Sequence, residues 1–143
     1  MEAALVGASR VQARQTATEE LVRLARAYLD FARMRKMRAL ARAVRTSNGG
    51  RAPGSRLVHR GSESPLPHTR RALARLVPRE PPEARALLAR TLFSAVHGIV
   101  SLGLEEKLAP MPAEVLNTQL EIVTCAFSAG LRTKARSQLD PRG

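Results

Sequence analysis

The chain has 143 residues, a length that suits one domain with its own core, and its formal net charge is +12. One cysteine and three scattered histidines exclude an internal disulfide framework and a structural zinc site, and no cofactor is implied. Apolar runs are short and the first twenty residues carry Glu2, Arg10, Arg14, Glu19 and Glu20, so neither a secretory signal nor a membrane span is expected, and the cytoplasm is the expected address.

Residues 2–16 read as a weak helix with Gly7 as its soft point. Leu21, Leu24, Ala25, Tyr28 and Leu29 then fall at three-to-four spacing on one helical stripe. Thr18 precedes the stripe, and Glu19 and Glu20 sit where carboxylates suit the start of a helix, which predicts a helix from about 18 to 32. Residues 1–32 are thus the N-terminal helical part. Met34, Met37, Ala41 and Val44 prolong the repeat while Arg and Lys fill the positions between, so whether the helix runs on is left open.

The charge is concentrated in the middle of the chain. Residues 33–79 hold 13 basic side chains against the single acid Glu63, and the rest of the chain balances to zero. Residues 46–68 have no apolar repeat; Gly49, Gly50, Gly54 and Gly61 raise the entropy lost on folding, and Pro53, Pro65 and Pro67 interrupt regular structure. Ordering each residue costs about 1–2 kcal/mol, and little apolar surface is at hand to offset it. Residues 33–70 are therefore expected to form a basic insert of low order, with 46–68 disordered.

Two turns of helix are expected from Arg71 to Val77, before Pro78. Pro81 and Pro82 open the next helix, with Glu83 in its first turn, and no proline interrupts the chain up to Leu108. Leu87, Leu88, Leu92, Ala95, Val96, Ile99, Val100 and Leu102 cover more than half of its circumference, so it should be central. After Pro110 and Pro112 a last helix runs from about Ala113 to Lys134, with Val115, Leu116, Leu120, Val123, Ala126, Phe127 and Gly130 on its apolar face and Ile122 and Cys125 widening it. Residues 71–134 thus contain a helical hairpin forming core and dimer interface, and 135–143 a disordered tail. Strand-like alternation is missing, and the expected fold class is all-α, a helical bundle.

Small residues on the first long helix of that hairpin, Ser94, Gly98 and Ser101, let another helix come close. Gly98 costs about 1 kcal/mol relative to Ala in mid-helix, which a close contact should offset. That contact is either a helix of the same subunit or a two-fold mate, in which case Ser94, Gly98, Ser101, Leu120 and Val123 form the interface of a homodimer.

His97 is either a packing residue or a hydrogen-bonding group in an effector pocket. Phe93, Phe127 and Tyr28 are either plain core or the walls of a small apolar pocket beside it. Cys125, on an apolar stripe without a basic or His neighbour one turn away, reads as an inert buried thiol. No pair of acids, nucleophile with a base, or phosphate-cradling loop survives inspection, so the chain is not expected to be an enzyme. The basic insert is either a solvated loop or a phosphate-binding segment; with no aromatic residue between Phe31 and Phe93 it offers no stacking platform, and non-specific, salt-sensitive nucleic-acid binding is the most it would support.

Ala84 to Leu108, ARALLARTLFSAVHGIVSLGLEEKL, resembles the C-terminal domain of TetR-type transcriptional regulators, in the subgroup with a Trp and then His-Gly on the central helix. Val96-His97-Gly98 matches the His-Gly part, and Phe93 stands in the Trp position. Glu20 to Ala32 resembles the helix that opens that domain, and the final helix resembles the family's last. The resemblance implies a ligand-sensing domain that dimerises through its last two helices, with a small apolar effector possible. The family's helix-turn-helix head has no counterpart in residues 1–20, so specific DNA binding by this chain alone is not expected. The insert departs from the family too. Its Arg, Ala, Gly and Pro use GC-rich codons, as a GC-rich gene read out of frame would give, and the expectation is that compensating frameshifts, or a sequencing error, replaced native helices there and that Met1 is internal to an older gene. The bundle is on this view incomplete.

Overall fold

A computed structural model of the chain describes residues 2–48, 64–105 and 111–139, with side chains from residue 6 onward. Four helices make it up: α1 (Glu2–Ser47), α2 (Leu66–Leu76), α3 (Pro82–Gly103) and α4 (Ala113–Ser137). No strand occurs among the described residues, and the fold is all-α.

α1 is one unbroken helix where two were expected. Thr18 is not a cap; its hydroxyl donates to the Arg14 carbonyl at 3.2 Å, one turn back in the same helix. Glu20 likewise serves as the partner of Arg75 on α2 rather than as a dipole charge. The helix also runs on past residue 32, so 33–47 are ordered helix and not part of a loose insert. The reason lies in composition: Arg, Lys, Met, Leu and Ala dominate MRKMRALARAV, and all five are strong helix formers. Val6 to Arg14 is almost wholly exposed as well, so packing holds only the middle of the helix, through Ala17, Leu21, Val22, Ala25 and Leu29.

α2 starts at Leu66, before the expected Arg71, so Leu66 to Arg70 also leave the predicted low-order region. Pro65 and Pro67 fall at the helix start, where a missing N–H costs nothing, and the Thr69 hydroxyl donates to the Pro65 carbonyl at 2.9 Å. The central part of the predicted insert, 49–63, lies outside the described residues. So do residues 140–143 of the predicted tail, whereas 135–137 belong to α4.

α1 packs chiefly on α2 and α4, and α3 does the same, so α1 and α3 stand diagonally across a four-helix arrangement. The core is shared by Leu21, Ala25 and Leu29, then Ala72, Leu73 and Leu76, then Leu92, Val96 and Val100, and Leu116, Leu120 and Leu131. α3 is therefore a corner of the bundle and not its centre. It is apolar enough by length and composition to cross a bilayer, yet little more than a quarter of its most apolar stretch is buried within the chain. Ala89, Leu92, Val96 and Val100 turn inward, while Leu87 and Leu102 stay outside.

α3 and α4 form the expected antiparallel hairpin. Gly103 closes α3 directly against Leu116 in the first turn of α4: a Cβ added at Gly103 would collide with one Leu116 methyl and lie 3.1 Å from the other. Pro112 precedes α4, and the Met111 amide donates to the Gly103 carbonyl at 3.3 Å. Ion pairs tie the elements from outside. Arg26 on α1 meets Glu121 on α4 at 2.6 Å, and Lys134 on α4 meets Glu80 before α3 at 3.7 Å.

Candidate functional site

Three of the four residues predicted to wall a pocket come together. Tyr28 projects from the middle of α1, and Phe93 and His97 lie one turn apart on α3, so a single helical face presents both rings to the tyrosine. Tyr28 meets Phe93 edge-on with ring centroids 5.3 Å apart, a favoured aromatic geometry. The Phe93 and His97 rings stack at 6.0 Å. The Tyr28 hydroxyl lies 2.7 Å from His97 Nδ1, and His97 Nε2 lies 3.3 Å from Ser101 Oγ, one further turn along α3. With the imidazole proton on Nε2 the roles agree: Tyr28 O–H donates to Nδ1, and Nε2–H donates to Ser101. Ser101, read from sequence as an interface residue, is thus the histidine's second partner; its position four residues after His97 on a helix was the signal available for it.

The cluster is graded in depth. Tyr28 and Phe93 are half-buried, whereas His97 and Ser101 are exposed. Beneath the aromatic pair a cavity of about 20 Å³ is lined by Leu21, Ala25, Pro65, Thr69, Leu92 and Val96 among others. That is room for one water at most. A ligand there requires α1 and α3 to part. Phe127, the fourth predicted residue, is half-buried against the core from α4, and no ring contact joins it to the other three among the described residues.

Catalytic chemistry is poorly served by this geometry. The histidine's inner partner is a phenol rather than a carboxylate, and Ser101 is in the last turn of α3, where the backbone amides are engaged in the helix ladder and are not aimed at a developing oxyanion. No group of three or more metal-ligating side chains occurs among the described residues.

The outer faces of α3 and α4 form a second candidate surface. On α4 the buried positions are Leu116, Leu120, Thr124, Ser128 and Leu131. Leu120 is 0% exposed, so it belongs to the subunit's own core and not to an outer interface; the inward stripe runs four residues at a time from Leu116 and takes Leu120 with it. The other apolar stripe points outward. Ile122, Cys125, Ala126, Ala129 and Gly130 are all exposed, and Val123 is half-buried. Cys125 is therefore an exposed thiol rather than a buried one, because it follows inward-facing Thr124 by one residue and is turned about 100° away from it. On α3, Leu87, Thr91, Ser94 and Leu102 are exposed, and Gly98 is half-buried. Nothing lies within 4 Å of a Cβ built at Gly98 or at Gly130. The contact expected to offset the glycine in mid-helix is not made among the described residues.

Fold and site together define an all-helical domain whose available chemistry is hydrogen bonding and aromatic contact. The family model described as tetracyclin repressor-like, C-terminal domain, matches residues 21–126, roughly three quarters of the chain. The chain belongs to that family, which is regulatory and not enzymatic, and whose members typically dimerise and bind small-molecule effectors. Neither the curated proteins nor the solved structures gave a match.

Proposed function

We propose that this chain is the ligand-sensing and dimerisation domain of a TetR-like transcriptional regulator, working in the cytoplasm as a homodimer and without enzymatic activity. The observation that carries the reading is the pair of uncharged outward stripes, Leu87, Ser94 and Leu102 with half-buried Gly98 on α3, and Ile122, Cys125, Ala126, Ala129 and Gly130 on α4. Glycine and alanine there let helix axes approach closely, and a two-fold mate buries the same face on both copies. Ser94, Gly98, Ser101 and Val123 contribute to that interface. A small, largely apolar effector enters between α1 and α3, with Tyr28 and Phe93 against its body and His97 supplying its polar contact. In this reading DNA recognition falls to a separate head, and residues 2–20 are the opening turns of α1.

Cys125 provides the test. As the chain's single cysteine on the proposed interface, it should link two copies through a short bis-maleimide at micromolar concentration, and Gly98→Arg together with Gly130→Arg should abolish both the link and the dimer mass in light scattering. A monomer mass at all concentrations refutes the reading.

A second reading is favoured by Arg35, Arg38, Arg42 and Arg45. These exposed residues recur on one flank of α1 without an acid among them, and the spacing suits non-specific contacts to nucleic-acid phosphates. Retention on duplex DNA that falls steeply between 50 and 200 mM salt would support it.

A further inference from the structure

Beyond Ala32, α1 leaves the bundle, and an open groove of about 760 Å³ lies between it and Gly103, Leu104 and Met111. The volume falls within the roughly 300–1,000 Å³ usual for small-molecule sites. Its walls are mainly apolar: Met34, Met37 and Leu40 on α1 stand across from Leu104 and Met111. Met34 and Met37 are 55% and 68% exposed, so most of their surface is left open to solvent. Arg33 and Arg38 belong to the same lining, and neither has an acidic partner among the described residues. Asp30 is the lining's one acid. Lys36 donates to the Leu104 carbonyl at the end of α3, where a cation also meets the negative end of the helix dipole, and this bond holds the two walls in register.

We propose that this groove binds an amphiphilic anion with a single alkyl chain, a medium- or long-chain carboxylate, whose chain lies along the methionines and whose head group is held by Arg33 and Arg38. Unbranched thioether side chains adjust to a flexible chain better than branched ones do. A guanidinium grips a carboxylate through two parallel hydrogen bonds, and two guanidiniums without an acidic partner among the described residues, beside an apolar trough, suit a ligand with an anionic head and an apolar chain. A nucleic acid would meet the arginines and leave the methionines in water. A neutral apolar ligand would leave the arginines unmet. The groove is separate from the Tyr28–His97 cluster, and its occupation does not depend on the effector reading given above.

Isothermal titration of the full chain with octanoate, decanoate and dodecanoate, each kept below micelle formation, tests the assignment. Binding should saturate at one anion per chain, and affinity should rise roughly fourfold with each added methylene. Arg33→Gln combined with Arg38→Gln should weaken every member of the series about tenfold while keeping the same step per methylene. Both positions are exposed and Gln is a good helix former, so unchanged circular dichroism will confirm that the variant is folded. Arg35→Gln, one residue off the lining, should leave binding as it was. Three results would overturn the proposal: an affinity indifferent to chain length, equal binding of dodecyltrimethylammonium, or an Arg35→Gln variant as impaired as the double variant. Retention on phosphatidylglycerol vesicles or on DNA, without saturable uptake of the monomeric carboxylates, would also overturn it and assign the arginines to surface adsorption.

Discussion

Gly98 and Gly103 lie five residues apart on the same helix, and the same substitution should act on them in opposite directions. Alanine in place of a helical glycine gains up to about 1 kcal/mol through the lower entropy of the unfolded chain. At Gly98 nothing among the described residues stands within 4 Å of the new methyl, so the isolated bundle should keep that gain, and its melting temperature should rise by about 3–4 °C. At Gly103 the methyl meets both Leu116 methyls, and Leu116 is 0% exposed, so its side chain has to shift within the packed core to make room. Overpacking of this sort costs about 1–3 kcal/mol, which exceeds the helix gain, so Gly103→Ala should lower stability by about 1 kcal/mol and Gly103→Val by more. Urea unfolding followed by circular dichroism at 222 nm, over a hundredfold range of protein concentration, separates the terms. At the lowest concentration the two alanine variants should lie on opposite sides of the parent. At the highest, Gly98→Ala should lose its advantage, because a methyl in the proposed interface keeps the two copies apart. Destabilisation by both alanines at the lowest concentration would refute the placement of Gly98 on an open face. Stabilisation by both would show that Leu116 yields freely.

Thr124 Oγ1 and Ser128 Oγ are buried with no hydrogen-bond partner among the described residues, and Thr124→Val and Ser128→Ala should each raise stability by about 1 kcal/mol in urea titrations. Tyr28→Phe removes the donor to His97 and should cost about 1 kcal/mol, with a change in the His97 ring signals by nitrogen-15 NMR as the local check. Arg26 and Glu121 are each about half exposed, so a double-mutant cycle between them should return no more than about 1 kcal/mol, shrinking as salt is added. Cys125 should react fully with a thiol reagent under native conditions at low protein concentration and more slowly as the concentration is raised.

The hairpin of α3 and α4 was legible because prolines bracket both helices and apolar residues recur at helical spacing between them. The Tyr28, Phe93 and His97 cluster was legible for a related reason: each side chain lies on an apolar stripe, and two helices with facing stripes bring such groups together. Which of two apolar faces turns inward was not legible. On α4, Leu120 with Thr124 and Ser128 faces the core, and Ile122, Cys125 and Ala126 face water; a hydrophobicity pattern ranks the second stripe above the first, yet the two buried hydroxyls occupy the closer-packed side. On α3 the breadth of the apolar surface was read as a central position, although a corner helix with an outer partner has the same breadth. The length of α1 was missed because charge was weighed above propensity: arginine-rich segments lack core-forming residues, but Arg, Ala, Met and Leu hold a helix without a core once a packed segment has nucleated it.

That last feature gives the molecule one helix with two stabilities. At 46 residues α1 spans roughly 70 Å, about twice the length of α3, and only its middle is clamped by side chains of other helices. Backbone amides from Ala17 to Leu29 should exchange with deuterium only when the whole bundle opens, while those beyond residue 38 should exchange through fraying of the helix end, orders of magnitude sooner. Warming should consequently erode the far end turn by turn while the bundle stays shut, and far-ultraviolet ellipticity should drift downward well before the cooperative transition begins.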